Sequence, residues 1–288
     1  MSAKLIGLIA HAAKHGAASL VKALGVEFKR RGTALKYEKK TAELAGEPGG
    51  VSIPELGKAC DILVVLGGDG TILHVLHDLK KHIKPIFGIN LGSLGFLTCV
   101  NSSAYLKAVD SILARDYILS QRTLLAVEVR RKGKSIAQFT GLNDAVISRG
   151  EHSKLIRLRT RIDHAVLTEY NADGLIVATA TGSTAYSLSA GGPILMPDSG
   201  VFVITPVCPH VLTNRTVIVS DTSEIEVSPC QEQDDVFLVV DGDEPMAIKR
   251  ADTIHIQKSA LSLPLAMLPE MSFSEILRQK LKWSGSAV

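Results

Sequence analysis

The strongest pattern of hydrophobic and polar positions in the chain is an apolar run that ends in a glycine-rich turn. Residues 62–66 (Ile-Leu-Val-Val-Leu) include no polar position, which indicates a parallel strand buried on both faces. The turn Gly67-Gly68-Asp69-Gly70 follows, and from Thr71 onward apolar residues recur at helical spacing. This order of strand, glycine turn and helix is typical of phosphate sites, because a helix N-terminus offers free N–H groups to an anion.

Short apolar runs and helical stripes alternate over the first third of the chain. They predict strands at 4–10, 33–37 and 85–89, and a helix at 17–31 that ends near Gly32. Ser52 and Glu55 form a capping-box pattern around Pro54, which predicts a short helix before the central strand. Alternating strands and helices predict an α/β fold with a doubly wound, mostly parallel sheet.

A helix is predicted at 104–115, and the pattern becomes β-rich after it. Residues 127–130 and 136–139 flank a turn at 131–134, which is typical of a β-hairpin. In residues 155–161 apolar and basic positions alternate, so Arg157, Arg159 and Arg161 share one face of a strand. Such a face is usually only solvated, although it could also offset phosphate charge. We expect a β-rich second domain over 101–265.

Composition changes this picture in two respects. The 288 residues are 46% hydrophobic and 21% charged, and this apolar balance favours a homo-oligomer. A net charge of +3, without a long basic run, is too small to indicate a nucleic-acid partner, whereas anionic small molecules fit it well.

The cysteines and the longest apolar runs set the expected compartment. Cys60, Cys99, Cys208 and Cys230 are far apart, so neither a disulfide framework nor a zinc cage is indicated. No run approaches the roughly 18 apolar residues of a membrane span. We expect a cytoplasmic protein with no membrane partner.

The acid in the first turn decides which phosphate chemistry is available. No lysine stands near the turn, which excludes a Walker A loop, and Leu73 occupies the third glycine position of a dinucleotide fingerprint. A carboxylate repels phosphate but can bind Mg²⁺ or take a proton from a hydroxyl. Asp69 is therefore either a functional acid or only a turn residue, and the pattern alone leaves both interpretations open.

Two further stretches carry candidate chemistry at the ends of predicted strands. Residues 90–98 (Asn-Leu-Gly-Ser-Leu-Gly-Phe-Leu-Thr) predict a shaped loop, for which a packed connection between domains is the simpler interpretation. Asn143 and Asp144 place an amide beside a carboxylate, as adenine or ribose recognition requires, although such a pair is also common in turns.

The most informative stretch of the second half is 171–193. A strand at 175–178, a loop at 179–184 and a short helix at 185–190 are predicted to precede two glycines. The hydroxyl groups of Thr181, Ser183 and Thr184 are expected to form a polar cradle with the N–H groups of the helix start. Tyr186 adds a ring, and Asp173 adds a carboxylate beside the strand.

Together these motifs resemble a bacterial-type NAD kinase. The likeness includes the Gly-Gly-Asp-Gly-Thr turn, the loop Leu-Gly-Phe-Leu-Thr at 94–98, the Asn-Asp pair and above all residues 173–193, in the right order over nearly the whole chain. The turn alone is not specific, because diacylglycerol and sphingosine kinases look similar there. The 173–193 motif is highly specific.

The resemblance implies transfer of the γ-phosphate of ATP to the 2′-hydroxyl of the adenosine ribose of NAD, which makes NADP. It implies a divalent metal cation such as Mg²⁺, with Asp69 as the general base and no residue assigned as a metal ligand. The positions that it implies for ligand binding are Gly70, His74, Asn143, Asp144, Lys154, Asn171, Asp173, Thr181, Thr184, Ala185, Tyr186, Ser187, Leu188, Ser189 and Asp243.

The family's architecture also agrees with the pattern. It implies a doubly wound domain over 1–100, to which a tail at about 266–288 returns, and a β-rich dinucleotide-binding domain over 101–265. Sites shared across subunits imply a homotetramer or a homodimer.

Some positions depart from the family pattern. Asp144 is one methylene shorter than the usual glutamate, and Asp241-Gly242-Asp243 stands where a terminal glutamine is common. His74 and His77 are three residues apart on one helix, but without further ligands they do not indicate a metal site. Two alternatives to an NAD kinase stay open, a lipid kinase of related fold and a module that binds NAD without turnover.

Overall fold

The computed structural model describes residues 5–93, 95–150, 154–211, 213–230 and 236–283. The chain divides into two compact units. Unit 1 contains the residues up to Gln121 and those from Leu263 onward, and unit 2 is Arg122–Ser262.

The chain forms seventeen strands and seven α-helices within the described ranges. The strands are β1 (Leu5–Ala10), β2 (Ala34–Tyr37), β3 (Ile62–Gly67), β4 (Ile86–Asn90), β5 (Val100–Asn101), β6 (Ile118–Arg131), β7 (Lys134–Gly141), β8 (Asp144–Arg149), β9 (Ile156–Ile162), β10 (Ala165–Ala172), β11 (Gly174–Thr179), β12 (Val201–Val207), β13 (Val217–Ser220), β14 (Ile225–Pro229), β15 (Val236–Val240), β16 (Met246–Ile248) and β17 (Asp252–Met267). The α-helices are α1 (Ala17–Arg30), α2 (Lys39–Ala45), α3 (Ile53–Ala59), α4 (Asp69–Leu79), α5 (Tyr105–Ala114), α6 (Tyr186–Ser189) and α7 (Phe273–Leu281). Short 3-10 turns lie at Ser102–Ala104 and Gly182–Thr184.

Unit 1 is built on a parallel sheet. Its strands pair in the order β2-β1-β3-β4, and the end of β17 pairs in parallel with β4. Every residue of β3 is buried, as expected for an apolar run without a polar face. The apolar stripe of α1, which includes Leu20, Leu24 and Phe28, is buried too. The predicted α/β fold class is confirmed.

Unit 2 is β-rich and contains two layers of strands. One sheet has the order β13-β12-β11-β8-β15-β16 and is antiparallel throughout. In the other, β10, β9, β14 and β17 are neighbours, and β6 pairs with β17 and β7. Alternate residues of both sheets meet in one core, with Val127, Ile147, Leu175 and Ile254 among its buried members. The predicted hairpin is present, with Lys132 and Gly133 at positive φ in its turn.

The structure differs from the sequence prediction at two places. Unit 1 extends to Gln121 rather than ending near residue 100, because α5 packs with α1 and Asp110 of α5 pairs with Arg31. Helix α2 was not predicted. Its start depends on the Glu38 carboxylate, which accepts the backbone N–H groups of Lys40 and Thr41 at 3.0 and 2.9 Å.

Among the described residues, no helix is both long and apolar enough to cross a membrane.

Candidate active site

The glycine turn of unit 1 connects β3 directly to α4, as the sequence predicted. A Cβ at Gly67 would overlap the Thr71 side chain, so the close approach of strand and helix requires glycine there. Thr71 Oγ1 accepts the N–H of Gly68 at 3.3 Å. Helix α4 begins at Asp69, which places this carboxylate and Gly70 at the positive end of the helix dipole.

The Asp69 carboxylate is held by two backbone hydrogen bonds from the 90–98 loop. Its Oδ2 accepts the backbone N–H of Phe96 at 2.8 Å, and its Oδ1 accepts that of Leu97 at 3.0 Å. A Cβ at Gly95 would overlap the same carboxylate, so the loop approaches it as closely as a backbone can. Each oxygen has a further lone pair, and Asp69 is partly exposed, so the carboxylate can still accept a hydrogen bond from a ligand.

The loop that donates these bonds is itself held in place. Asn90 Nδ2 donates to Thr98 Oγ1 at 3.2 Å, and Thr98 Oγ1 also accepts the N–H of Gly95 at 2.9 Å. Asn90 and Thr98 are both buried. Leu94, the first residue of the predicted loop motif, lies outside the described residues. The described residues of this stretch therefore form the shaped loop that the sequence predicted. The backbone N–H groups of Phe96 and Leu97 in this loop donate to Asp69.

An open cleft of about 800 Å³ lies beside this turn within unit 1. Gly68, Gly70 and His74 line one part of it, and the Nε2 of His74 is 3.7 Å from the Asp78 carboxylate. The cleft is also lined by basic residues that sequence reasoning missed: His11, Lys14, Lys39 and Lys40. Their position in the sequence could have indicated them. They follow β1 and β2, and the carboxyl ends of parallel strands lie at the same edge of a sheet.

A second cluster of candidate residues lies in unit 2. Asn143, Asp144, Ala185, Tyr186 and Asp241 line a cavity of about 400 Å³. The ring of Tyr186 is exposed, whereas Asp144 is only 5% exposed at the start of β8. The structure thus brings the Asn-Asp pair next to the start of the short helix that follows the 179–184 loop.

Asp241 organises this cluster, although the sequence prediction favoured Asp243. Its carboxylate accepts the N–H groups of Leu142, Asn143 and Asp144 at 2.6, 2.7 and 3.1 Å. Asp241 adopts a positive φ of 51° in the turn after β15. Asp243 is exposed. The Asp-Gly pair at 241–242 was the available signal, because such pairs form tight turns.

Burial and charge change the protonation of the Asp144 and Asp241 carboxyl groups. Burial, together with the nearby Asp241 carboxylate, raises the pKa of Asp144 to about 7, and the backbone N–H of Tyr186 partly opposes that rise. Burial also raises the pKa of Asp241, against the effect of its three N–H donors. The raised pKa favours the neutral form of the Asp144 carboxyl, and in that form the group can act as a hydrogen-bond donor as well as an acceptor.

Two of the three hydroxyl groups that were predicted to form a cradle, those of Ser183 and Thr184, donate their hydrogen bonds inside the protein. Ser183 Oγ donates to the carbonyl of Ala180 at 2.7 Å, and Thr184 Oγ1 donates to that of Thr181 at 3.1 Å. Ser187 Oγ lies 2.9 Å from Thr205 Oγ1 in a buried pair. Thr181 Oγ1 is buried and has no hydrogen-bond partner within the described ranges.

The remaining candidates are spread over unit 2 and do not line the same cavity. Lys154 is exposed before β9, and Leu188 and Ser189 lie in α6. The carbonyl of Asn171 accepts the N–H of His210 at 2.9 Å. Asp173 accepts a hydrogen bond from Arg149 Nε at 2.6 Å.

The predicted arginine face of β9 is confirmed in part. Arg157 and Arg159 are exposed and Arg161 is partly exposed. Arg159 pairs with Glu169 at 2.7 Å, and Arg161 lies 3.8 Å from Glu226. These carboxylates already neutralise much of the charge that could have offset a phosphate.

Comparisons with known proteins agree over nearly the whole chain. The family model for the ATP-NAD kinase N-terminal domain matches residues 7–117, and that for the ATP-NAD kinase C-terminal domain matches 142–268. An NAD kinase of Solibacter usitatus (strain Ellin6076) is 40% identical over 280 residues, which cover 97% of this chain and 98% of the relative. An NAD kinase of Geobacter sulfurreducens (strain ATCC 51573 / DSM 12127 / PCA) is 39% identical over 253 residues, 88% of this chain and 89% of the relative.

Two solved structures have a similar fold. Yeast NADH kinase complexed with NADH superposes with a TM-score of 0.88 at 25% identity, over 100% of this chain and 90% of that one. An NAD kinase from Archaeoglobus fulgidus in complex with ATP gives a TM-score of 0.75 at 25% identity, over 96% of this chain and 98% of that one.

Proposed function

The chain belongs to the ATP-NAD kinase family and phosphorylates NAD to NADP, and we propose that Asp69 is the general base of this transfer. The observation that carries the proposal is the fixed carboxylate at the start of α4, held by the N–H groups of Phe96 and Leu97. Phosphoryl transfer depends mainly on positioning and on a group that orients the attacking hydroxyl. Asp69 accepts the proton of the ribose 2′-hydroxyl as that oxygen attacks the γ-phosphorus of ATP, and the bond between this phosphorus and the β–γ bridging oxygen breaks so that ADP leaves.

Dinucleotide binding is proposed for the Asn143-Asp144 pair, for Tyr186 and for the further positions named below. Asn143 and Asp144 bind the adenylate part, since an amide and a partly protonated carboxyl offer donors and acceptors together. The ring of Tyr186 offers a surface for stacking. The other residues proposed to contact the ligand are Gly70, His74, Lys154, Asn171, Asp173, Thr181, Thr184, Ala185, Ser187, Leu188, Ser189 and Asp243.

The triphosphate of ATP is proposed to bind in the cleft of unit 1. Backbone N–H groups at the start of α4 and the charges of Lys14, Lys39 and Lys40 provide the positive potential there. No group of three or more His, Cys, Asp or Glu side chains among the described residues could hold a metal ion. ATP is therefore proposed to enter as its magnesium complex, because Mg²⁺ is commonly bound by phosphates with few protein ligands.

Assembly and compartment are proposals of the same kind. The apolar composition and the exposed Val166 and Ile218 on unit 2 support a homo-oligomer, a tetramer or a dimer. The four cysteines are unpaired in the structure, which is consistent with a reducing cytoplasm.

The test of the proposed base is the substitution Asp69→Asn. Asparagine keeps the size of the side chain and can still accept one of the two backbone hydrogen bonds, but it cannot take a proton. We expect the catalytic rate to fall by at least about 10²-fold, the order expected for loss of a general base. NADP formed from NAD, ATP and Mg²⁺ gives the rate, and calorimetric titration with NAD gives the affinity, which should stay close to that of the unchanged protein.

Asp116→Asn is the matched control, because Asp116 is an exposed aspartate of unit 1 outside the cleft. Its rate should equal that of the unchanged protein. An Asp69→Asn variant that turns over at the same rate as this control would remove Asp69 from the mechanism.

A further inference from the structure

The C-terminal helix α7 contacts the loop that holds Asp69. The ring of Phe273 packs on the ring of Phe96, with centroids 6.2 Å apart and planes tilted by 45°. Lys280 Nζ lies 5.9 Å from the centroid of the same Phe96 ring. Phe273 and Lys280 are seven residues apart and therefore lie on the same face of α7, where both contact the Phe96 ring within unit 1.

Phe96 connects this contact to the proposed base. Its side chain faces α7, and its backbone N–H donates the 2.8 Å hydrogen bond to Asp69 Oδ2. We propose that Phe273 and Lys280 are positioning residues that set the location of the Asp69 carboxylate through Phe96. This inference rests on the proposed role of Asp69 as general base.

The ends of the 90–98 loop are fixed by hydrogen bonds, whereas Phe96 between them depends on its contacts with α7. Asn90 and Thr98 fix the flanks of the loop by hydrogen bonds and are buried. Between them, Phe96 is partly exposed, and the contacts of its side chain described above come from α7. Without them, the N–H groups of residues 96 and 97 would still be near Asp69, but their position would be less well defined.

Helix α7 is a firm support for this contact. Ile276 and Leu277 are buried in unit 1, and the Ser272 hydroxyl caps the helix by accepting the N–H of Glu275 at 3.2 Å. Glu270, just before the helix, pairs with Lys107. The residues that anchor α7 differ from Phe273 and Lys280, which contact Phe96. Substitution of Phe273 or Lys280 therefore removes the contact with Phe96 and leaves the packing of the helix in place.

The first experiment compares Phe273→Ala with Phe273→Tyr in the full-length protein. A small displacement of a catalytic group can cost orders of magnitude in rate. We expect Phe273→Ala to lower kcat by about tenfold while KM for NAD changes by less than about twofold, and Lys280→Ala to act in the same direction but less strongly. Phe273→Tyr keeps the ring and should restore the rate. Gln279→Ala, on the exposed side of α7, is the matched control.

A double-mutant cycle with Asp69→Asn separates positioning from general destabilisation. If Phe273 acts through Asp69, adding Phe273→Ala to Asp69→Asn should cause little further loss of kcat. Additive losses, an unchanged kcat in Phe273→Ala, or a change confined to KM would overturn the inference. Where Phe273→Ala does not fold, Phe273→Leu and Lys280→Ala carry the same cycle.

The outcome also distinguishes this inference from the proposed function. A wild-type rate in Asp69→Asn would mean that the base assignment fails, and the positioning role would fail with it. An inactive Asp69→Asn beside a fully active Phe273→Ala would leave the base in place and reject only the role of α7.

Discussion

At the scale of single residues, the carboxyl groups of Asp144 and Asp241 are the clearest source of pH dependence. Burial and the neighbouring Asp241 raise the pKa of Asp144 from 3.8 to about 7. The titratable group that adds to this rise is Asp241 from the turn after β15, with Asp243 beside it, whereas Tyr186 of α6 acts on Asp144 through its backbone N–H. Folding therefore favours the neutral form of Asp144, the reverse of the usual effect on an ion-paired aspartate.

The sign of the effect on stability follows from linkage. Below about pH 3.8 the Asp144 carboxyl is neutral in both the folded and the unfolded protein, so it does not affect stability. As the pH rises from there toward 7, the unfolded protein loses this proton more readily than the folded protein, and the free energy of unfolding falls. The difference between 3.8 and about 7 corresponds to about 4 kcal/mol at most. We predict that Asp144→Asn, a permanently neutral analogue, raises the free energy of unfolding at pH 8 and flattens its dependence on pH between 4 and 8.

Urea unfolding of the full-length protein at several pH values tests this prediction, because it gives the free energy of unfolding at each pH. Asp116→Asn, an exposed aspartate of unit 1, serves as the control and should leave the pH dependence unchanged. Parallel pH curves for Asp144→Asn and the unchanged protein would contradict the assignment of the proton to Asp144.

The same residues show where sequence reasoning stops. Asn143 and Asp144 were found because adjacent polar side chains meet an apolar run, which is a local pattern. The sequence favours Asp243 over Asp241, because the role of Asp241 depends on the backbone N–H groups of residues 142–144, which the pairing of strands β8 and β15 brings to it. Likewise, the sequence indicated hydroxyl groups at 181–184 but not that Ser183 and Thr184 would bond to carbonyls three residues earlier.

At the scale of elements, the turn after β11 depends on one close approach. A Cβ at Gly182 would overlap the backbone of Asn143, whose carbonyl accepts the N–H of Thr179 at 2.8 Å. We predict that Gly182→Ala lowers the free energy of unfolding by about 1–3 kcal/mol, the usual cost of overpacking. The displaced Asn143 should also weaken NAD binding.

Thermal unfolding and titration with NAD test the two parts of this prediction. Gly92→Ala is the control, because among the described residues a Cβ there would meet Asn90 Oδ1 alone, at 3.6 Å, which is an ordinary contact. A Gly182→Ala protein with the melting temperature and NAD affinity of this control would show that the turn tolerates a side chain.

Elements with a strong period were predictable, and those that depend on partners were not. β3 and α1 follow from a continuous apolar run and a helical stripe, each readable without neighbours. Helix α2 has only Thr41 and Ala42 buried, too few positions to define a stripe, and its start depends on the Glu38 cap. The boundary between the two units was predicted too early for a similar reason. The amphipathic pattern of α5 does not show which unit it belongs to, and its packing with α1 and β5 assigns it to unit 1.

At the scale of the whole molecule, the edges of the sheets in unit 2 bear on assembly. In the described part of the chain, β10 and β13 each end the strand order of a sheet, and both carry exposed apolar side chains. Val166 is 58% exposed and Ile218 is 49% exposed. An edge strand with exposed apolar residues presents free backbone groups and a surface that favours pairing with another chain.

We therefore predict that the proposed homo-oligomer uses β10 at one of its interfaces. Val166→Lys places a charge on this edge, and burying an unpaired charge at an interface costs several kcal/mol, so the molar mass at micromolar concentration should fall toward that of a smaller assembly. Val26→Lys is the matched control, since Val26 is 66% exposed on α1 in unit 1. Light scattering coupled to size exclusion gives the mass of each variant. A monomeric mass for the unchanged, fully active protein would reject the oligomer, whereas an oligomer that persists in Val166→Lys would reject only the role of β10.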